Sequence, residues 1–230
     1  MDTAEKLARL TRPRIIDISQ PISSKTACFP GDVPFSREVT LTYEQSQVVN
    51  LTAIKMSPHV GTHADSPIHL HGDMAALEEM AGQMPLAPFV GSALVVDLSP
   101  HSGPILAAEL QAKLPSDARL PQRILFRTRH QIRFDTWESD YSYFALDLID
   151  FVAQRGVKLI ALDTPSVDET SSKELAAHNR LLHHQMFWLE NLDLTGVEPG
   201  TYFLVALPLK LMEAEASPVR AVLLDLAEGA

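Results

Sequence analysis

Hydrophobic and polar positions follow two different periods along the chain, and together they predict strands and helices interspersed from end to end. Alternating residues predict strands in "RIIDISQPIS", "SREVTLTYE" and "VVNLTAIKMS". Apolar runs rich in branched residues predict further strands, most of them buried, in "GSALVVDLSP", "QRILFRTR", "VKLIALDTPSVD", "YFLVALPLKL" and "AVLLDLA". "CFPGDVPF", with two prolines and a Gly-Asp pair, predicts a turn or surface loop.

Helical spacing of apolar residues predicts four helices between these strands. "SYFALDLIDFVAQRG" is amphipathic and ends at a glycine, and "MAALEEMAGQMP" and "LAAELQAKLP" are shorter. "SSKELAAHNRLLHHQM" is predicted to begin with Ser171 or Ser172 as its N-cap and Glu174 in its first turn. Interspersed strands and helices, without a repeat or a Gly/Ser linker, predict a single domain of the α/β or α+β class.

Composition narrows the classes of partner. With a net charge of −10, the chain lacks the basic footprint of a nucleic-acid-binding protein, and anionic membrane surfaces would repel it. No apolar run approaches the roughly 20 residues of a membrane-spanning helix, and the N-terminus shows no apolar signal-peptide core. The lone cysteine, Cys28, cannot form an intrachain disulfide. We therefore expect a cytoplasmic protein with a small-molecule substrate and neither nucleic acid nor membrane as a partner.

The stretch "SPHVGTHADSPIHLHGD", from Ser57 to Asp73, concentrates histidines and aspartates beside prolines and glycines. Pro58, Gly61 and Pro67 interrupt any helix here, since a proline in a helix interior costs about 3 kcal/mol. The segment is therefore predicted to be extended or irregular.

In an extended segment every second side chain points to the same face. Four candidate residues have odd numbers and would share one face: His59, His63, Asp65 and His69. Gly61 lies between the first two and is expected to leave room for an ion or a substrate. Imidazoles with a carboxylate suit Zn²⁺, and also Mn²⁺, Fe²⁺ or Co²⁺. A polar loop with hydrogen-bonding histidines is the alternative, and His71 and Asp73 are expected at the loop surface.

A second histidine-rich stretch, "AAHNRLLHHQMFWLENL", contains His178, His183, His184 and Glu190. On one continuous helix His178 and Glu190 would lie about 18 Å apart, so they could share a site only if the helix ended between them, near Gln185–Trp188. The residues alone leave open whether this pair binds a metal or belongs to an ordinary polar helix surface.

Two other features also have open interpretations. Cys28 is a possible nucleophile, but a lone cysteine is more often inert. The loop Thr164–Asp168 follows a predicted buried strand and is either functional or a simple proline turn. Serine-hydrolase, phosphate-loop and dinucleotide-binding motifs are absent from the sequence.

The spacing in "HVGTHADSPIH" resembles the H-x-G-T-H-x-D-x-P-x-H signature of the metal-dependent cyclase-like hydrolases. The stretches "DISQPIS", "FPGDVPF", "ALDTPSVD", "AHNRLL", "LENL" and "ALPLKLMEAEASPVRAVL" resemble the arylformamidase branch of that family. The resemblance runs from Ile15 to Leu226. It implies an α/β fold, a single layered domain over residues 13–230 with mixed sheets of the swivelling β/β/α type, after an extension of residues 1–12.

The resemblance also implies a site with two metal ions per subunit, usually zinc, with Mn²⁺ or another divalent ion as an alternative. It implies five ligands: His59, His63, Asp65, His178 and Glu190. Asp65 and Glu190 would each be shared by both ions. His69 corresponds to the proton donor and acceptor, and Phe29 to an aromatic residue, commonly tryptophan, that lies against the substrate.

The activity implied is hydrolysis of N-formyl-L-kynurenine to L-kynurenine and formate, a step of tryptophan degradation. A homodimer is implied as well, with the aromatic region near Phe29 approaching the neighbouring subunit's site. Phe29, Asn179 and Asn191 depart from the residues common in the family, which leaves the substrate range open. The alternatives are a hydrolase of a cyclic amide such as isatin or of another small amide, and a non-catalytic binding protein, which would not need His69.

Overall fold

A computed structural model describes residues 14–70, 76–115 and 118–226. The predicted N-terminal extension, residues 1–12, and the two predicted loop residues His71 and Asp73 lie outside the described residues.

Strands and helices are interspersed along the chain, as the hydrophobic pattern predicts. The strands are β1 (Arg14–Asp17), β2 (Ser36–Leu41), β3 (Leu51–Lys55), β4 (His63–Asp65), β5 (Val90–Asp97), β6 (Gly103–Ile105), β7 (Arg123–Arg127), β8 (Ser142–Phe144), β9 (Leu159–Leu162), β10 (Phe187–Glu190), β11 (Gly200–Val205), β12 (Ala216–Pro218) and β13 (Val222–Asp225). The α-helices are α1 (Tyr43–Ser46), α2 (Ala107–Ala112), α3 (Leu146–Ala153) and α4 (Ala176–His183), and 3₁₀ helices cover Pro67–Leu70, Leu77–Glu79, Ala81–Gln83 and Ala87–Phe89.

Within the described residues, nine strands form one mixed sheet in the order β1-β13-β11-β5-β7-β9-β10-β4-β12. The central strands β5, β7, β9 and β10 are parallel, and the strands on either side of them are antiparallel. The hairpin of β2 and β3 and the pair of β6 and β8 form two smaller sheets. This architecture confirms the predicted α/β class with mixed sheets.

Both faces of the central strands are buried, which explains their continuous apolar sequences. In β7, Leu125 packs into the core on one face, whereas Ile124 and Phe126 pack into the core on the other. The second core also contains Leu148 of α3 and Leu181 of α4, so the helices cover that face. The sheet is therefore a rigid layer from whose edge the loops of the site project.

Several observed elements differ from the predicted ones. "MAALEEMAGQMP" forms short 3₁₀ helices within its described part, and β6, β10 and β12 fall in stretches without a predicted strand. The predicted helix "SYFALDLIDFVAQRG" begins instead with strand β8, and α3 starts only at Leu146. Helix α4 starts at Ala176 rather than after Ser171 or Ser172, because Leu175 adopts a left-handed φ of 47° that interrupts any helix before it. The helix then ends at His183, so the predicted break before Glu190 is confirmed.

Candidate metal centre and substrate cavity

The histidine signature folds as turns, a short strand and a 3₁₀ helix rather than as one extended segment. The predicted alternation holds for His63 and Asp65, which share a face of β4. It is wrong for His59 and His69, which lie in the flanking turn and 3₁₀ helix. Those elements nevertheless bring the rings of His59 and His69 together, with centroids 4.6 Å apart. The four predicted residues therefore converge, but by turns more than by strand periodicity.

Gly61 has a different role from the predicted one. Its φ of 72° lies in the left-handed region, and a Cβ atom there would stand 2.8 Å from Cγ1 of Ile22. The missing side chain therefore makes room for Ile22 and permits the turn between His59 and His63. The prediction that Gly61 leaves room for an ion is wrong.

His63 and Glu190 are direct partners in the antiparallel pairing of β4 with β10. The Nδ1 atom of His63 donates a hydrogen bond to the carbonyl of Gly61 at 2.9 Å, which fixes the tautomer with a free lone pair on Nε2. That Nε2 atom lies 3.3 Å from Oε2 of Glu190 and 3.4 Å from Oδ1 of Asp65. It is buried and has no hydrogen-bond partner among the described residues.

Each buried carboxylate faces different imidazoles with its two oxygens. Oδ1 of Asp65 lies 3.0 Å from Nδ1 of His59, and Oδ2 lies 3.7 Å from Nε2 of His178. Oε2 of Glu190 faces His63, and its Oε1 lies 3.5 Å from Nε2 of His178. All five predicted ligands therefore form one cluster, in which each carboxylate presents its two oxygens to different imidazoles.

The carboxylates and the imidazoles of the cluster stabilise each other's charged forms. Burial by itself would raise the pKa of Asp65, but His59 and His63 hold that pKa well below its usual range. Burial would likewise lower the pKa of His59, yet Asp65 and neighbouring carboxylates raise it to about 10. The pKa of His178 is also raised well above its usual value, against burial, by the hydrogen bond with Asp168 and the nearby carboxylates of Asp65 and Glu190.

His69 lies at the rim of the cluster. It is half-buried, its ring centroid is 5.8 Å from that of His178, and burial, the largest influence, lowers its pKa. His59, Asp65 and His69 each offer one possible ligand atom, and these three atoms lie within 4.8 Å of one another. The geometry thus places His69 beside the ligand set, at the boundary with the cavity.

Supporting residues escaped the sequence analysis. Asp168 lies at the end of the loop Thr164–Asp168, whose role the sequence left undecided. Its carboxylate accepts hydrogen bonds from Nδ1 of His178 at 2.6 Å and from the backbone N–H groups of Ala177 and His178. The Nε1 atom of Trp188 donates to Oδ2 of Asp65 at 2.9 Å. Glu215, before β12, lies 3.4 Å from Nε2 of His59. The sequence did contain a signal for Asp168, because this carboxylate precedes by a few residues the helix that carries the candidate ligand His178.

A cavity of about 440 Å³ opens above the cluster. Its lining comes from the loops after β7 and β9 and from the end of β10, which are the carboxyl ends of parallel strands, where α/β proteins commonly bind ligands. Phe29 lines this cavity of its own chain and packs edge-on against Trp137, with ring centroids 4.9 Å apart. Cys28 lines it too, but burial raises its thiol pKa, which favours the inert interpretation.

His183 and His184 lie away from this cluster. Nε2 of His184 pairs with Asp150 at 2.7 Å, and the His183 ring packs against that of His184.

The cluster fits a divalent cation on its own chemistry. The buried Nε2 atom of His63 has no hydrogen-bond partner among the described residues, which is costly for a polar atom unless a cation satisfies it. Three imidazoles and two shared carboxylates form a donor set that suits Zn²⁺ or a similar ion. This cluster, at the base of a cavity in a mixed α/β fold, is typical of metal-dependent enzymes.

Sequence comparison gives the family. The model of a family described as "Putative cyclase" matches residues 16–169. The kynurenine formamidase of Bordetella avium is 43% identical over 213 residues, which cover 93% of this chain and 99% of that protein. The kynurenine formamidase of Bordetella pertussis is 42% identical over 214 residues, with the same coverage. The chain belongs to the putative cyclase family, which confirms the predicted resemblance.

Solved structures support the same fold. A predicted metal-dependent hydrolase from Bacillus stearothermophilus has a TM-score of 0.76 at 24% identity, covering 94% of this chain and 100% of that one. Isatin hydrolase A from Labrenzia aggregata, bound to benzyl benzoate, has a TM-score of 0.78 at 19% identity, and the match covers 98% of this chain and 100% of that one. Among the described residues, no helix has both the length and the apolar character needed to cross a bilayer.

Proposed function

We propose that this protein hydrolyses N-formyl-L-kynurenine to L-kynurenine and formate. The observation that carries the proposal is the buried cluster of His63, Asp65 and Glu190, in which Nε2 of His63 has no hydrogen-bond partner among the described residues, beneath a cavity partly lined by aromatic residues. Relatives with 42–43% identity over nearly the whole chain bear the name kynurenine formamidase, which supports this substrate over other amides.

The proposed ligands are His59, His63, Asp65, His178 and Glu190. Two Zn²⁺ ions per chain are proposed, because the two oxygens of Asp65 and of Glu190 face different imidazoles and are arranged to bridge. When bound, the ions would lower the pKa of a water ligand and polarise the formyl carbonyl. Mn²⁺ or another divalent ion would satisfy the same donors.

His69 is proposed to move the proton. It accepts a proton as water attacks the formyl carbon, and it delivers that proton to the aryl nitrogen as the carbon–nitrogen bond breaks. Its half-buried position between the ligand histidines and the cavity supports this role, since the ring is within reach of both the cluster and a bound amide. The aromatic pair of Phe29 and Trp137 offers an apolar wall for the aryl ring.

The test is to measure metal content and N-formyl-L-kynurenine hydrolysis on the same preparation. We expect about two ions per chain, loss of activity on chelation and recovery with Zn²⁺. Full activity in metal-free protein, or no hydrolysis by the metal-loaded protein, would overturn the proposal.

A hydrolase of cyclic amides is a second candidate, because isatin hydrolase A has the same fold. Comparing kcat/KM for N-formyl-L-kynurenine and isatin decides between the two substrates, and we expect the formamide to be preferred. A non-catalytic metal-binding protein is tested by His69→Ala. We expect unchanged metal content and a 10²–10⁴-fold lower kcat, the usual contribution of general acid–base catalysis. The absence of turnover in the wild type would favour the binding protein.

A homodimer is proposed as well. The hairpin of β2 and β3 exposes a set of apolar side chains: Val39, Tyr43, Val48, Leu51 and Ile54. An exposed apolar patch of this kind is typical of an interaction surface. Light scattering after gel filtration tests the proposal, and a monomer at micromolar concentration would contradict it. A cytoplasmic location is proposed from the lack of any possible intrachain disulfide.

A further inference from the structure

Two loops form the cavity mouth: residues 27–32 and residues 129–138, here called the cavity-mouth loops. The backbone N–H of Ala27 donates to the carbonyl of Phe134 at 2.8 Å, and the Phe29 ring contacts Trp137. The buried carboxylate of Asp163 accepts hydrogen bonds from the backbone N–H groups of Thr128 and Arg129. The loops are therefore tied to each other and to the sheet, so the backbone that carries their charged residues has a defined position beside the cavity.

Two arginines line the cavity within the described part of the chain, and their surroundings differ. Nη1 of Arg129 pairs with Oε2 of Glu138 at 2.6 Å, and the Arg129 side chain is only 17% exposed. Arg133 is 62% exposed, lies 3.7 Å from Oε1 of Glu138, and donates to Oγ1 of Thr136 at 3.3 Å. Exposed pairs at such distances are weak, so most of the five N–H donors of Arg133 are available for a ligand.

We propose that Arg133 binds the carboxylate of the substrate and makes the site selective for aryl amides that carry an amino-acid group. This inference rests on the function proposed above. The scissile amide must reach the buried cluster, where His63 and Asp65 are 1% exposed, so the other end of the substrate lies toward the open mouth. A guanidinium there can hold a carboxylate through two parallel hydrogen bonds.

The amino-acid end of the substrate calls for local partners of both signs. It carries a carboxylate and an ammonium group but no net charge, so the field of the whole protein, at a net charge of −10, neither attracts nor repels it and its orientation depends on groups at the entrance. Asp32 lines the same cavity, and no ion pair to its carboxylate occurs among the described residues. The mouth therefore offers one group of each sign to a zwitterionic amino acid, with Arg133 for its carboxylate and Asp32 for its ammonium group.

The experiment compares two formamides in the zinc-loaded enzyme. One is N-formyl-L-kynurenine, and the other is N-(2-acetylphenyl)formamide, which keeps the aryl ketone and the formamide but has no amino-acid group. The selectivity is the ratio of kcat/KM for the first to that for the second. In Arg133→Ala we expect this ratio to fall about tenfold, mainly through KM, because a charge-assisted hydrogen bond is lost. Arg133→Lys keeps the charge and should recover part of the ratio.

The matched control is Arg119→Ala, since Arg119 is exposed and is not part of the cavity lining. Its selectivity should equal that of the wild type. An unchanged ratio in Arg133→Ala, including an equal loss on both substrates, would overturn the role of Arg133 while leaving the proposed function intact. If the wild type hydrolysed neither formamide, the proposed function would fall, and this inference with it.

Discussion

Nδ1 of His178 lies 2.6 Å from Oδ2 of Asp168, and the same carboxylate accepts the backbone N–H groups of Ala177 and His178. The carboxylate thereby fixes the ring orientation of His178 and leaves its Nε2 atom facing Asp65 and Glu190. Residues that hold a ligand histidine in this way usually contribute 10–100-fold to metal affinity.

We therefore expect Asp168→Asn to weaken Zn²⁺ binding by about 10–100-fold. The amide keeps the size of the side chain but cannot accept from all three N–H groups with the strength of a carboxylate. Competition with a chromophoric chelator measures the affinity. Asp150→Asn is the matched control, because Asp150 pairs with His184 and Arg180 away from the site. Equal zinc affinity in the two variants would contradict a positioning role for Asp168.

Zinc should stabilise the folded protein strongly. Without a cation, the clustered carboxylates and imidazoles are buried with unpaired atoms, and binding to the folded state alone contributes about 4 kcal/mol at 1,000 times the Kd. The melting temperature of chelator-stripped protein should therefore rise on titration with Zn²⁺. His63→Ala should abolish most of this response and His184→Ala should preserve it. A melting temperature independent of zinc would refute a metal centre in this cluster.

Gly61→Ala should destabilise the fold by about 2–4 kcal/mol, since it combines a left-handed φ with close contact to Ile22. Gly156→Ala is a suitable comparison, because Gly156 also has a left-handed φ, of 81°, but no atom within 4 Å of an added Cβ. That variant should cost only about 1 kcal/mol, from backbone strain alone. Denaturant unfolding measures both values, and equal losses would show that Ile22 simply moves aside.

The ion pair of Asp97 and Arg127 should make stability depend on acid pH. Burial works to raise the pKa of Asp97, but hydrogen bonds from Arg127 and Ser99 prevail and lower it to about 2. The pair therefore stabilises the fold above about pH 4, and this contribution is lost as the pH falls through about 2. Because the pair is partly exposed, we expect Asp97→Asn to cost about 1 kcal/mol at pH 7.

Chelator-treated protein is the right material for this measurement, since it removes the separate effect of acid on metal binding. The difference in unfolding free energy between wild type and Asp97→Asn should shrink as the pH falls from 5 toward 3. A difference that stayed constant over this range would show that the Asp97 charge does not contribute.

The local part of the site could be predicted from sequence because its residues lie close together in the chain. His59, His63, Asp65 and His69 share one segment in which prolines and glycines exclude a helix. The detailed path could not be predicted, because strand periodicity does not describe the turn at Gly61 or the 3₁₀ helix that carries His69. The turn at Gly61 also depends on close packing against a distant residue, Ile22.

The distant part of the site was harder to predict for a physical reason. His178 and Glu190 reach the cluster because α4 ends at His183 and β10 then pairs with both β9 and β4. No local pattern encodes that pairing, so the residues alone left the two roles open until the family resemblance was considered. Asp168 was missed because its effect is hydrogen bonding to a helix that starts several residues later.

The pairing of His63 with Glu190 determines when during synthesis the proposed metal site can be completed. The histidine signature leaves the ribosome early, with three of the five proposed ligands, but it lacks His178 and Glu190 until most of the chain has been made. A nascent chain ending at residue 169, where the family match ends, would carry the whole signature and still offer an incomplete donor set. The complete set of five proposed ligands therefore exists only after β10 has paired with β4, late in the synthesis of the chain.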